Sequence, residues 1–194
     1  MNIDLIRSLN PDLIIGNKEE NERLQIEALM QEFPVWMSDI TQLPGAINMI
    51  TGIGELTNTI MRANVIAKQV EAGFEMLVPM KRRLRAAYLI WQQPHMAAGK
   101  DTFIDDMLQR CGFINVFGQQ RYPQFVEADL QQAQPDVIML SSEPYPFKQK
   151  HIRAFEAMLP EAKVILVDGE MFSWYGSRLI HALTYFKQLI NGFD

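Results

Sequence analysis

Apolar positions recur along the chain in two rhythms, and each change of rhythm marks an element. The longest helical rhythm lies between Leu56 and Leu77, a run without proline. Leu56, Ile60, Ala63, Ala67, Val70, Phe74 and Leu77 follow at alternating steps of four and three, which keeps them on one helix face. A helix of that run is roughly 33 Å long, about the width of a small domain. Strand-like segments stand on both sides of it, so it reads as a beam joining two α/β halves. A coiled-coil seam is the alternative, but the e and g positions carry no clear charge code.

Before the beam, the pattern predicts a short helix from Asp4 to Leu9, stopped by Asn10-Pro11, and a buried parallel strand at Asp12–Ile15. A helix follows from about Glu22, with Leu24, Ile26, Ala28, Leu29 and Met30 facing inward. Pro34–Met37 is a second strand, and Leu43–Ile53 a helix broken near Gly52-x-Gly54. After the beam come a strand at Leu84–Trp91, a loop over residues 92–99, and a helix capped by Asp101 that ends at Cys111-Gly112. Ile114–Phe117 reads as a short strand or link, and Val126–Gln132 as a helix. Strands at Pro135–Leu140 and Ala162–Val167 then alternate with helices at Lys148–Leu159 and Ser177–Ile190. Strand–helix alternation of this kind makes a parallel sheet flanked by helices. The expected fold is thus α/β with two lobes: residues 1–55 form a partial N-terminal lobe, 56–80 the bridging helix, and 81–194 the C-terminal lobe. Two strands are few for a sheet, so the first lobe reads as incomplete.

Composition narrows the class. The chain has 194 residues, 48% apolar and 21% charged, with a net charge of −5. That balance suits a soluble globular protein and gives no nucleic-acid footprint; the basic cluster Lys81-Arg82-Arg83 with Arg85 reads as a solvated junction. Cys111 is the single cysteine, so an intrachain disulfide or a cysteine metal cluster is excluded, and a buried packing role is expected. No stretch has the length and apolarity of a membrane span. The first residues carry neither a basic n-region nor an apolar h-region.

Ligands of open parallel sheets sit beyond the carboxyl ends of the strands. The loops there hold Asn17 and Lys18; Ser38 and Asp39; Trp91, His95 and Met96; Glu143, Tyr145 and Phe147; and Glu170, Phe172, Trp174 and Tyr175. Aromatics crowd the later loops, as suits a large, partly apolar ligand held by stacking. Packing is the competing role, most evenly matched for Phe147 and Phe172. Catalytic signals are weak. His95, His151 and His181 are far apart, Gly52-Ile53-Gly54 lacks the context of a dinucleotide site, and Asp105-Asp106 and Glu127/Asp129 read as solvated helix faces. No phosphate loop, nucleophile elbow or Ser/His/Asp set is present, so neither catalysis nor a resident cofactor is expected. Glu19, Glu20 and Glu22 form an acidic patch at a helix start, suited to the helix dipole or to a basic partner.

Asn10-Pro11-Asp12-Leu13-Ile14-Ile15, the acidic turn at residues 17–22, the long helix and Ala98-Gly99-Lys100-Asp101-Thr102-Phe103-Ile104 form a familiar combination. With Gln134-Pro135-Asp136-Val137-Ile138 and the aromatic loop before Ser177-Arg178, they resemble the helical-backbone (class III) substrate-binding proteins of ABC importers. That class delivers cobalamin, haem and ferric siderophores. The resemblance covers nearly the whole chain. It implies two lobes bridged by a long helix, a metal-chelate or corrinoid ligand between them and a permease dimer as partner; the chain is expected to be monomeric, and a continuous bridging helix, costly to bend, predicts only a small opening on ligand release. It also implies that Trp91 and Trp174 are cleft aromatics, and that Glu22, or else Glu20, docks on the permease. Where the family places its second docking glutamate this chain has Ser173, with Glu170 three residues earlier. Family members begin with a signal peptide and a strand–helix–strand unit that this sequence does not contain. The expected location is periplasmic or membrane-anchored if a signal peptide has been removed, and cytoplasmic if the chain starts at Met1. The alternatives are a truncated cytoplasmic relative, or a metal-cofactor assembly protein on a related two-lobe fold.

Overall fold

The computed structural model describes residues 1–193, in two compact units, Met1–Ile40 and Thr41–Asp194. The division falls earlier than the expected boundary at residue 55, so segment 41–55 groups with the larger unit.

The smaller unit contains α1 (Ile3–Leu9), β1 (Ile14–Asn17), α2 (Arg23–Met30) and β2 (Val35–Ser38). β1 and β2 pair in parallel from Ile14 beside Val35 to Asn17 beside Ser38. Two parallel strands are what the sequence pattern predicts, although β1 starts two residues later than Asp12. Only Ile26 and Leu29 of α2 are buried; Leu24 and Met30, expected inward, face out.

The larger unit opens with α3 (Leu43–Leu56) and α4 (Ile60–Glu75). This corrects the single helix expected from Leu56 to Leu77. The chain turns at Thr57–Thr59, where Asn58 takes a left-handed φ of 54° and the Thr57 hydroxyl donates back to the Ile53 carbonyl at 2.7 Å. Gly54 does not break α3; it lets α4 approach, because a Cβ there would overlap the Ala63 Cβ. The two helices form an antiparallel hairpin with Ile50, Ala63 and Ala67 packed between them. The expected stripe survives within α4, where Ala63, Ala67, Val70 and Phe74 are buried. Sixteen residues make α4 about 24 Å long. Gly73 brings it close against Leu183 of the last helix.

The sheet follows: β3 (Arg85–Trp91), β4 (Met96–Ala97), α5 (Phe103–Cys111), β5 (Ile114–Asn115), α6 (Glu127–Ala133), β6 (Val137–Ser141), α7 (Gln149–Met158), β7 (Lys163–Val167), α8 (Gly169–Ser173) and α9 (Leu179–Asn191). Strand order is β4-β3-β6-β7, parallel from β3 to β7. β5 runs parallel to the start of β3, and β4 runs antiparallel to its end. Every residue of β6 and the five interior residues of β3 are buried, as continuous apolar strands covered on both faces must be. β4 and α8 lie within segments expected to be loops. The helix cap is also corrected: Thr102, not Asp101, accepts the Asp105 N–H at 3.1 Å, while Asp101 has a positive φ of 56°.

Asp105 and Asp106 are not a solvated face. The Asp105 carboxylate is buried and accepts from Lys100 Nζ at 3.1 Å, Gln109 Nε2 at 2.6 Å and Asn115 Nδ2 at 3.0 Å. Asn115 also donates to the Ala98 carbonyl and accepts from the Phe117 N–H, so one network ties α5 to β4 and β5. Asp106 pairs with Arg110 at 2.9 Å and accepts the first N–H of α3, from Leu43, at 2.8 Å. Cys111 is buried as expected, and burial pushes its thiol up to about 12.

Asp105→Ala leaves the buried Asn115 amide short of an acceptor, while the part-exposed Lys100 regains water. It is expected to lower stability by about 2–4 kcal/mol, read as a shift in urea midpoint at unchanged slope. Asp105→Asn should cost less.

Candidate functional site

The carboxyl ends of β3, β6 and β7 carry the aromatic side chains expected at a ligand site. Trp91 closes β3, 38% exposed, with Met96 of β4 opposite it across a register shift. Its indole meets the Tyr145 ring edge at 5.7 Å. Tyr145 is fixed from three sides: its N–H donates to the Ile90 carbonyl at 3.3 Å, its ring meets Phe147 at 4.8 Å, and its hydroxyl contacts His151 Nε2 at 3.3 Å. His151 Nδ1 accepts the Lys148 N–H at 2.7 Å, so the neutral ring carries its proton on Nε2 and donates it to Tyr145.

The second part of the surface is built on α8, which starts directly after β7 with Asp168 as its cap. Gly169 is needed there, because a Cβ would lie 2.5 Å from Glu143 Cγ. Its N–H donates to Ser142 Oγ at 2.9 Å, locking the β6 and β7 loops together. Across that lock, Glu143 Oε1 accepts from Ser173 Oγ at 2.8 Å and from Trp174 Nε1 at 2.9 Å. Trp174 is 51% exposed; Tyr175 is half-buried with its ring on Phe103 at 5.4 Å. Glu170 pairs with Arg178, whose Nε is buried without a partner.

The structure brings Trp91, Met96 and Tyr145 together, and separately Glu143, Trp174 and the Glu170–Arg178 pair. It draws three of the expected loop residues inward. Phe147 is only 5% exposed and belongs to the core cluster of Phe117, Phe125, Ile152 and Phe155, so it supports Tyr145 from below. His95 stacks on Phe125 at 5.3 Å and meets Phe155 at 5.7 Å, with Nδ1 buried and unpartnered. Phe172 is fully buried. Glu20 and Glu22 are exposed in the smaller unit; Glu22 stands at the cap position of α2 without a side-chain capping bond. No group of three or more His, Cys, Asp or Glu residues able to hold a metal ion occurs among the described residues.

Sequence reasoning missed three supporting residues: Ser173, His151 and Gly99. Gly99 packs its backbone on the 119–121 loop, donating to the Arg121 carbonyl at 2.7 Å, and a Cβ there would overlap the Gln119 carbonyl. His151 sits three residues after Lys148 at a helix start, a spacing that could have suggested capping.

No family model matches the sequence, and no curated protein matches it. Solved structures do. The periplasmic heme-binding protein BhuT, in complex with two hemes, superposes with a TM-score of 0.81 over 100% of this chain and 80% of its own, at 18% identity. The periplasmic heme-binding protein RhuT from Roseiflexus sp. RS-1 gives 0.78 over 98% and 79%, at 19% identity. The periplasmic vitamin B12-binding protein BtuF of Vibrio cholerae gives 0.76 over 98% and 79%, also at 19%. The chain therefore has the α/β fold of periplasmic solute-binding proteins, with parallel sheets flanked by helices.

His151 also makes the site acid-sensitive. Burial first, then the Lys150 ammonium, holds its imidazole below the ordinary 6.5. The unfolded chain therefore binds this proton more readily than the folded one, so the stabilisation is present above about pH 6.5 and is lost as pH falls through the folded value. The melting temperature is expected to fall between pH 7.5 and 5.5, and by less in His151→Gln, measured at both pH values.

Proposed function

We propose that the chain is the substrate-binding component of an ABC importer. It captures a metal chelate (cobalamin, haem or a ferric siderophore) on the surface formed by Trp91, Tyr145, Trp174 and Tyr175 and delivers it to a membrane permease. The observation that carries this reading is the exposure of two tryptophans at the strand ends of a solute-binding fold, where globular proteins usually bury large rings. Exposed rings held by neighbouring hydrogen bonds suit stacking against a broad, flat ligand. Structures of the same fold that bind heme or vitamin B12 support the ligand class. The chain acts by binding, not catalysis, and works outside the cytoplasm. Glu22, Glu20 and Glu170 are the proposed permease-docking residues; Glu170 must exchange its Arg178 partner to take part.

Titration with cyanocobalamin, hemin and a ferric hydroxamate is expected to quench tryptophan fluorescence with micromolar midpoints. The double variant Trp91→Ala, Trp174→Ala should weaken binding about tenfold or more, with the urea midpoint measured alongside to separate lost binding from lost stability. If all three probes fail below millimolar concentration, the reading is wrong. Glu22→Lys should lower association with the permease in a reconstituted membrane, leaving chelate affinity unchanged.

A further inference from the structure

Glu143 has more to do than line a surface. Its backbone carbonyl accepts the Ser141 hydroxyl at 2.5 Å, and Gly169 packs against its Cγ, so the residue is held from both ends. One carboxylate oxygen, Oε1, takes both Ser173 Oγ and Trp174 Nε1. Oε2 takes no protein donor among the described residues. An indole as exposed as Trp174 would otherwise sample several rotamers, and ordering it on binding would weaken the ligand. The charge in contact with that ring is Glu143's own, and the Arg178 guanidinium is paired with Glu170.

Resting on the function proposed above, we infer that Glu143 is the positioning residue that holds Trp174 ready for stacking. Through Oε2 it also selects chelates whose rim carries hydrogen-bond donors, such as carboxamides, over chelates whose rim carries ionised carboxylates. An anionic rim group brought within a few ångströms of Oε2 meets a like charge at the protein surface, which disfavours it about tenfold or more. An amide N–H at the same place gains a charge-assisted hydrogen bond.

Two variants separate the roles. Glu143→Gln keeps an acceptor oxygen for Trp174 and removes the charge; Glu143→Ala removes both. In ligand-free protein, the Trp174 indole N–H, assigned by its loss in Trp174→Phe, should exchange slowly with solvent in the parent and in Glu143→Gln. It should exchange about tenfold faster or more in Glu143→Ala. With cyanocobalamin as the amide-rich probe and hemin as the dicarboxylate probe, the parent should favour cyanocobalamin. Glu143→Gln should tighten hemin about threefold or more, and Glu143→Ala should weaken both. Equal indole exchange in parent and Glu143→Ala overturns the positioning role. Tighter hemin binding by the parent, unimproved in Glu143→Gln, overturns the selection. If neither probe binds while the indole remains protected, the proposed function fails, and the selection with it, while the positioning of Trp174 stands.

Discussion

A column of aromatic rings carries the larger unit. Tyr88, fully buried in the central strand, meets Phe172 at 5.0 Å; Phe172 meets Phe186 at 5.0 Å; and Phe186 meets Phe74 at 6.2 Å. Four elements, β3, α8, α9 and α4, are thereby fastened along one line. Each tilted or edge-on pair adds about 0.5–1.5 kcal/mol beyond the area it buries. The one polar atom in the column, Tyr88 Oη, bonds to Ser141 Oγ at 3.2 Å, and burial pushes the phenol's pKa upward, so it stays protonated. The outer surface depends on this column because α8 carries both faces of the arrangement. Phe172 points into the column, and two residues on, Trp174 lies exposed.

The exposed tryptophans are therefore set by less exposed groups beside and beneath them. Trp174 is aimed by the column through α8 and by Glu143 across from the β6 loop. Trp91 is aimed by Tyr145, which rests on buried Phe147 and is held at its tip by His151. Both tryptophans thus sit at fixed backbone positions: Trp91 is the last residue of β3, and the Trp174 N–H donates to the Glu170 carbonyl at 3.0 Å at the end of α8. A rigid aromatic surface loses little conformational freedom when it meets a ligand, so more of the stacking energy appears as affinity.

Much of this was legible in the chain. Continuous apolar runs marked β3, β6 and β7, and the four-three stripe marked the buried face of α4 from Ala63 to Phe74. Of the exposed tryptophans, Trp91 came from the end of a strand and Trp174 from the segment after β7, where the sequence placed them. What was not legible rested on single residues acting at a distance. The stripe continues through Leu56, so nothing periodic betrays the turn at Asn58; the turn exists because Gly54 lets Ala63 come close and because Thr57 bonds backward. The same holds for α8, a helix of five residues too short for any period to show. Phe147 and His95 look like loop residues in sequence, yet Phe147 joins the core cluster, and His95 is held against Phe125 and Phe155, which lie far along the chain from it. Asp105 looks like half of a solvated acidic pair until Asn115, ten residues on, turns back onto it.

The state of the polar atoms near the surface bears on how any metal-containing ligand would be recognised. His95 keeps Nδ1 buried against Phe125, the Tyr145 hydroxyl is engaged by His151, and Glu143 Oε1 is shared by two donors. Replacing these contacts by metal bonds would release Tyr145 and Trp174, the rings that give the surface its shape. Under the proposed function, ligation and stacking therefore compete here, and the hydrogen bonds favour stacking. A chelate that keeps its own donors around the metal and offers its organic shell to the protein avoids that conflict. On the function proposed above, the aromatic surface reads the flat body of such a ligand, and the oxygen of Glu143 that takes no donor reads the chemistry of its rim.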